Sequence, residues 1–203
     1  MSKWSEIYEK QMSAFDSLDA FVESRIVYKE KFIDIIKKYG TRTKRLLEAG
    51  CGSGITSIFL GKFGYEVIGI DSDPDMVKLA TSIAVQQESA VLFKVDDIKT
   101  LETIQGHFDV VFSNGVMEHF SDNDIVTILD RHLSVSDYVV ISVPSDFFTD
   151  DQRMYGDERF MSVDQWHTIL SKVNGSVVEE FTFNPDKTTQ GGPQFIGFVL
   201  SSL

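Results

Sequence analysis

Cysteine is almost absent from this chain of 203 residues: Cys51 stands alone. A lone cysteine forms no internal disulfide, which suits a reducing compartment, and no His/Cys/Asp cluster has metal-ligand spacing. Long apolar runs are missing too; a membrane-spanning helix needs about 18 consecutive apolar residues. The opening Met1-Ser2-Lys3-Trp4-Ser5-Glu6 carries no apolar signal core. A cytoplasmic location without a membrane partner is therefore expected. Positive charge is scarce: 19 Lys and Arg face 31 Asp and Glu, for a net charge of -12. Such a field repels a phosphate backbone and disfavours nucleic acid as a partner. The basic stretches Lys37-Lys38 and Arg42-Thr43-Lys44-Arg45 read as a solvated helix end and loop. A small molecule, cationic or neutral, suits this balance better. Repeats, low-complexity tracts and linkers are also lacking.

What remains is ordinary for a globular chain: 42% hydrophobic and 25% charged residues. The length fits one domain, 1–203, with a sizeable core. Residues 5–39 carry a helical pattern through Trp4, Ile7, Tyr8, Phe15, Leu18, Phe21, Val22, Ile26, Phe32, Ile33 and Ile36. A break is expected between Ser13 and Asp19, and Gly40 closes the last helix. Residues 1–40 then form a helical cap on a core of 41–203. Strands and helices alternate afterwards. Strands are expected at 45–48, 67–70, 91–95, 108–113 and 138–143, and helices at 75–87, 121–131 and 163–172. A final pair, 176–183 and 194–201, reads as a hairpin at a sheet edge. Alternation of this kind makes a doubly wound, mostly parallel sheet with helices on both faces. Ligands in such sheets bind beyond the carboxyl ends of the strands.

One segment stands out: Leu46-Leu47-Glu48-Ala49-Gly50-Cys51-Gly52-Ser53-Gly54, followed by helically spaced Ile55 to Leu60. It reads as strand, tight glycine turn and helix, where side chains would hold the backbone away from a ligand. The next strand ends in Asp71, placed to accept both hydroxyls of a ribose. A nucleoside-containing cofactor is implied. The dinucleotide fingerprint wants a third glycine where Ile55 stands, which counts against a nicotinamide dinucleotide.

The spacing Glu48-x-Gly50-x-Gly52-x-Gly54 resembles motif I of the class I S-adenosylmethionine-dependent methyltransferases. The likeness runs from Leu46 to the C-terminus and is densest up to Phe120. It implies a Rossmann-like seven-stranded sheet with a C-terminal antiparallel hairpin and S-adenosylmethionine as cofactor. Glu48, Gly50, Cys51, Gly52 and Gly54 fall on the loop that cradles the methionine part in that family. The segment Asp71-Ser72-Asp73-Pro74-Asp75-Met76 resembles the family's D-x-S/D-P-x-M. Asp71 and Ser72 fall on the ribose side, and Asp73 and Met76 near adenine or ribose. Asp73 and Pro74 also read as a helix cap and first turn. Asp96-Asp97-Ile98 resembles the adenine-binding segment, with Asp97 and Ile98 in register; Asp96, where glycine is usual, leaves a one-residue slip open. Phe108-Asp109-Val110-Val111 resembles the family's fourth strand, and Asn114 beyond it falls near the methionine amine.

Glu118-His119 resembles a pair found in small-molecule members, quinone-type O-methyltransferases among them. His119 reads either as a general base for a hydroxyl or amine, or as a residue that shapes the pocket. Glu118, His119, Tyr155, Trp4 and Tyr8 are the expected acceptor contacts, and Phe15 is a further candidate cover. The long connection 145–161 reads either as a source of substrate contacts or as an ordered loop that folds back on an internal Glu158–Arg159 pair. No Asn-Pro-Pro-Tyr or Asp-Pro-Pro-Tyr follows the fourth strand, which argues against adenine or glutamine amino methylation. The expected activity is methyl transfer to a small molecule. A non-catalytic module that binds the same cofactor, or a NAD-dependent oxidoreductase, stays open.

Overall fold

The computed structural model describes residues 2–183 and 195–202. Three helices come first: α1 (Lys3–Met12), α2 (Leu18–Tyr28) and α3 (Glu30–Tyr39). Next are β1 (Arg45–Ala49), α4 (Ile55–Lys62), β2 (Glu66–Asp71), α5 (Pro74–Gln86), β3 (Leu92–Val95) and β4 (Phe108–Asn114). The chain ends with α6 (Asp122–Leu133), β5 (Ser136–Pro144), α7 (Val163–Leu170), β6 (Ser176–Phe183) and β7 (Phe195–Ser201). Single 3-10 turns lie at Met117–His119 and Asp150–Gln152. All the expected strands form. Gln194, the expected start of the last one, lies outside the described residues.

The seven strands make one sheet in the order β3-β2-β1-β4-β5-β7-β6. The first five pair in parallel, Leu46 standing opposite both Val67 and Val110. β7 runs antiparallel between β5 and β6, so the expected hairpin occupies the edge. Apolar residues alternate between the two faces. Leu47, Val111, Val139, Ile141 and Phe198 pack with Ile125, Leu129 and Trp166 of α6 and α7. Leu46, Val110, Phe112, Val140 and Val199 pack with Phe32, Ile33 and Ile36 of α3. Burial on both faces explains why these strands read as nearly continuous apolar runs. Hydroxyl and carboxylate caps start the helices: Ser2, Ser17, Asp73, Ser121 and Ser162 each accept a backbone N–H from the first turn.

The N-terminal stretch breaks twice rather than once. The expected interruption falls between Met12 and Leu18, and a second lies at Lys29, with φ -107° and ψ 11°. Neither glycine nor proline marks it, and the apolar pattern runs straight through. Lys29 turns inward, and its Nζ donates to Thr56 Oγ1 at 3.2 Å. The basic stretch before β1 is also less free than expected. Arg42 pairs with Asp137 at 2.9 Å and Arg45 with Glu66 at 3.2 Å.

Candidate functional site

The sheet order reverses between β1 and β4, so the connections leaving them diverge and open a crevice. The glycine loop enters it directly from β1. Gly50 and Cys51 N–H groups donate to the Ile70 carbonyl at 2.9 and 2.8 Å, which ties the loop to β2. Gly50, Gly52 and Gly54 all have positive φ. At Gly54 a Cβ would also come within 2.4 Å of the Phe93 ring, so this glycine permits α4 to pack on the sheet. Gly50 and Gly52 instead line a cavity of about 310 Å³.

Asp71, at the end of β2, lines the same cavity. Its Oδ2 accepts Gly52 N–H at 2.9 Å and its Oδ1 accepts Asp73 N–H at 3.0 Å. Each oxygen keeps a lone pair free for a ligand hydroxyl. Burial raises its pKa, and these backbone donors offset part of the rise. Ser72, Met76, Asp97 and Ile98 complete the wall. Burial separates the two neighbouring acids. Asp96 turns inward and accepts Glu102 N–H, Thr103 N–H and the Thr103 hydroxyl, bracing its own loop. Asp97 stays exposed on the cavity.

A second cavity, of about 200 Å³, shares Trp4, Tyr8, Asn114, Gly115 and His119 with the first. Asn114, the last residue of β4, therefore stands between the two. Its Nδ2 is buried without a partner. A buried unsatisfied donor costs about 1–3 kcal/mol, so a ligand acceptor fits there. His119 Nδ1 lies 2.6 Å from Asp157 Oδ1. Trp4 of α1 stacks on Tyr155 at 4.7 Å and meets His119 edge-on at 5.7 Å. Lys3 Nζ donates to the Tyr155 carbonyl, joining α1 to the 145–161 connection. Glu118 is buried against Gly115, and burial pushes its carboxyl up to about 8. Its Oε2 has no partner.

Several expected contacts lie off both cavities: Glu48, Cys51, Gly54, Asp73 and Tyr155. Glu48 is buried under the loop, where it accepts the Ser57 N–H at 3.2 Å and the Ser57 hydroxyl. Burial raises its pKa to about 6, against the pull of Lys29. Asp73 is the cap of α5, accepting Asp75 N–H. Cys51 is buried, and burial pushes its thiol well up. Tyr155 acts at one remove, through Trp4. Phe15 is not over the crevice; it packs edge-on against Phe21. The Glu158–Arg159 pair does not form. Glu158 accepts the N–H groups of Met154, Tyr155 and Gly156, while Arg159 pairs with Asp122 at 2.8 Å. Among the described residues no group of three metal-ligating side chains converges.

Sequence reasoning missed Asp157, Arg25 and Lys29. Arg25 and Lys29 stand four apart on one helix face, which reads as a solvated stripe. No local signal joins Asp157 to His119 across 38 residues.

With this geometry in view, the chain is similar to the S-adenosylmethionine-dependent methyltransferases. Residues 46–136 match the family described as "Methyltransferase domain". The chain is 32% identical over 79 residues to a ubiquinone biosynthesis O-methyltransferase of Coxiella burnetii, covering 39% of this chain and 34% of that one. It is 34% identical over 97 residues to norajmaline N-methyltransferase of Rauvolfia serpentina, covering 46% and 33%. The match thus spans about a third of the length of these curated relatives. In fold it is similar to magnesium protoporphyrin IX methyltransferase of Synechocystis, solved with bound S-adenosylmethionine. That likeness has a TM-score of 0.68 at 17% identity, over 99% of this chain and 90% of the other.

Proposed function

We propose that this protein binds S-adenosylmethionine in the larger cavity and transfers its methyl group to a small molecule in the smaller one. The observation that carries this reading is the meeting of the two cavities at Asn114, Gly115 and His119. The residues present fit the cofactor. Asp71 keeps lone pairs for a diol, Met76 and Ile98 give apolar walls to a base, and Asn114 offers an unpartnered amide. When bound, the sulfonium supplies a methyl group attached to a good leaving group. The chain's own task is to align a nucleophile and exclude water, and orientation of that kind is worth about 7–11 kcal/mol at best. Glu48 and Gly54 serve by holding the loop rather than by touching the ligand.

In this reading His119 is the base. Its Nδ1–H donates to Asp157, which leaves Nε2 to accept a proton from a hydroxyl or amine. Asp157 is a positioning residue. His119→Gln should lower kcat by about 10²–10⁴-fold, the usual range for a general base. Asp157→Asn should lower kcat less and shift the pH profile. A loss under threefold in His119→Gln would reduce His119 to a wall of the pocket.

Residues 1–203 act as one unit, with 1–40 as the cap. We place it in the cytoplasm, on the buried single thiol and the acidic charge. Among the described residues no helix is long and apolar enough to cross a membrane. The paired Arg42 and Arg45 offer no open cationic track, which supports a small molecule over nucleic acid as acceptor. Turnover of methyl-labelled cofactor against a metabolite extract tests the reading. Tight cofactor binding with no labelled product from any extract fraction would instead describe a binding module.

A further inference from the structure

We infer that the methyl acceptor is a small aromatic acid, its carboxylate held by Arg25 and Lys29 at the end of the smaller cavity away from His119. The inference rests on the methyltransferase reading and replaces the cationic or neutral acceptor suggested by net charge.

Both cations line that cavity. They stand four residues apart, Arg25 in α2 and Lys29 at the break just past it, where like charges repel. Arg25 has a carboxylate partner nowhere among the described residues. One Nη donates to the Gln11 side chain, and its Nε is buried without a partner. Lys29 donates to a neutral hydroxyl, Thr56 Oγ1. Burial lowers the Lys29 pKa, and Glu48, the carboxylate that counters this, hydrogen-bonds Ser57. A chain with an excess of 12 negative charges thus leaves a buried guanidinium N–H without a partner beside a pocket. A guanidinium fork matches a carboxylate in geometry and in charge.

The opposite end is built differently. Glu118 feels Glu158 and Asp157 as its charged neighbours, not Arg25 or Lys29. The cavity is therefore polarised, with cations at 25 and 29 and acids at 118 and 157–158. An acceptor would lie with its anion at the first end and its nucleophile at the second. The wall between is aromatic. Tyr28 meets Phe195 at 5.7 Å, Phe195 meets Phe148 at 5.3 Å, and Phe148 meets Phe160 at 5.3 Å. Such a continuous aromatic surface suits a flat ring.

The test is calorimetry on protein saturated with S-adenosylhomocysteine. The probes are hydroxy- and aminobenzoates and hydroxycinnamates, each beside its primary amide. At least one acid should bind tenfold or more tightly than its amide, and Arg25→Gln should abolish that preference without changing affinity for S-adenosylhomocysteine. Lys29→Gln should reduce the preference, which keeps the question decidable if Arg25→Gln does not fold. Equal binding of acids and amides, no acid binding, or a preference that survives Arg25→Gln overturns the inference. Failure of S-adenosylhomocysteine to bind would instead strike the methyltransferase reading beneath it.

Discussion

Among single residues, those that brace the glycine loop are mostly distinct from those that face the cavity. The glycine spacing, Asp71 and Asp97 were legible because the backbone conformation and the strand-end acids leave local traces in sequence. The inward roles of Glu48 and Asp96 were not, since an acid's direction is set by which donors the fold brings to it. Asp71 does both jobs. Asp71→Ala should weaken S-adenosylhomocysteine binding by about 1.5–3 kcal/mol, the range for hydrogen bonds to charged groups. It should also lower the melting temperature, because the Gly52 and Asp73 N–H groups lose their acceptor. Unchanged affinity in a protein that melts earlier would make Asp71 only a brace. Glu118 gives a pH signature. Its folded-state pKa of about 8 lies above the ordinary 4.5, so the folded chain holds the extra proton. The stability it contributes is fully present below pH 4.5 and is lost as pH rises through about 8. Denaturant melts of Glu118→Gln and the wild type should therefore diverge toward alkaline pH, the wild type losing more. Parallel curves from pH 5 to 9 would show that the carboxyl is ionised throughout.

Helix α1 and the 145–161 connection meet beside the smaller cavity, an arrangement that belongs to elements rather than residues. Sequence showed both as aromatic-rich segments outside the alternating core, but not that they meet. The Trp4–Tyr155 stack and the Lys3–Tyr155 bond are long-range, and no local pattern encodes them. The second break at Lys29 was hidden for a related reason: a tertiary contact, Lys29 to Thr56, selects the bend. Apart from Ser5, the residues of α1 retain solvent exposure, and few of its bonds reach the sheet. Segments of that kind open locally at small cost. Deleting residues through Ser13 should leave the sheet folded and reduce turnover more than stability. Hydrogen exchange should slow in α1 and in 147–160 together when cofactor and acceptor bind. Equal protection with and without ligands would make the two segments permanent core, with access to the methyl group elsewhere.

At the scale of the whole molecule, the architecture was the most legible property, because periodicity and alternation are repeated signals that local accidents do not erase. The mostly parallel sheet and the edge hairpin followed from alternation and resemblance together, but the strand order did not. The same architecture makes ligand binding a global event. The larger cavity draws on α1, on the ends of β1, β2 and β4, and on the turn at 97–99. A ligand there binds only the folded chain, so it stabilises all of these elements at once. At a ligand concentration about a hundredfold above Kd the gain is about 2.7 kcal/mol. For a chain of this size each kcal/mol raises the melting temperature by about 2–4 °C, so S-adenosylhomocysteine should raise it by about 5–11 °C in one transition. NAD should not. Ile55 occupies the place of the glycine that brings helix and strand together around a pyrophosphate, and it is buried, 3% exposed, in the first turn of α4. A thermal shift with NAD comparable to that with S-adenosylhomocysteine would mean that the loop accepts a pyrophosphate after all. Oxidoreductase chemistry would then displace methyl transfer as the reading of this crevice.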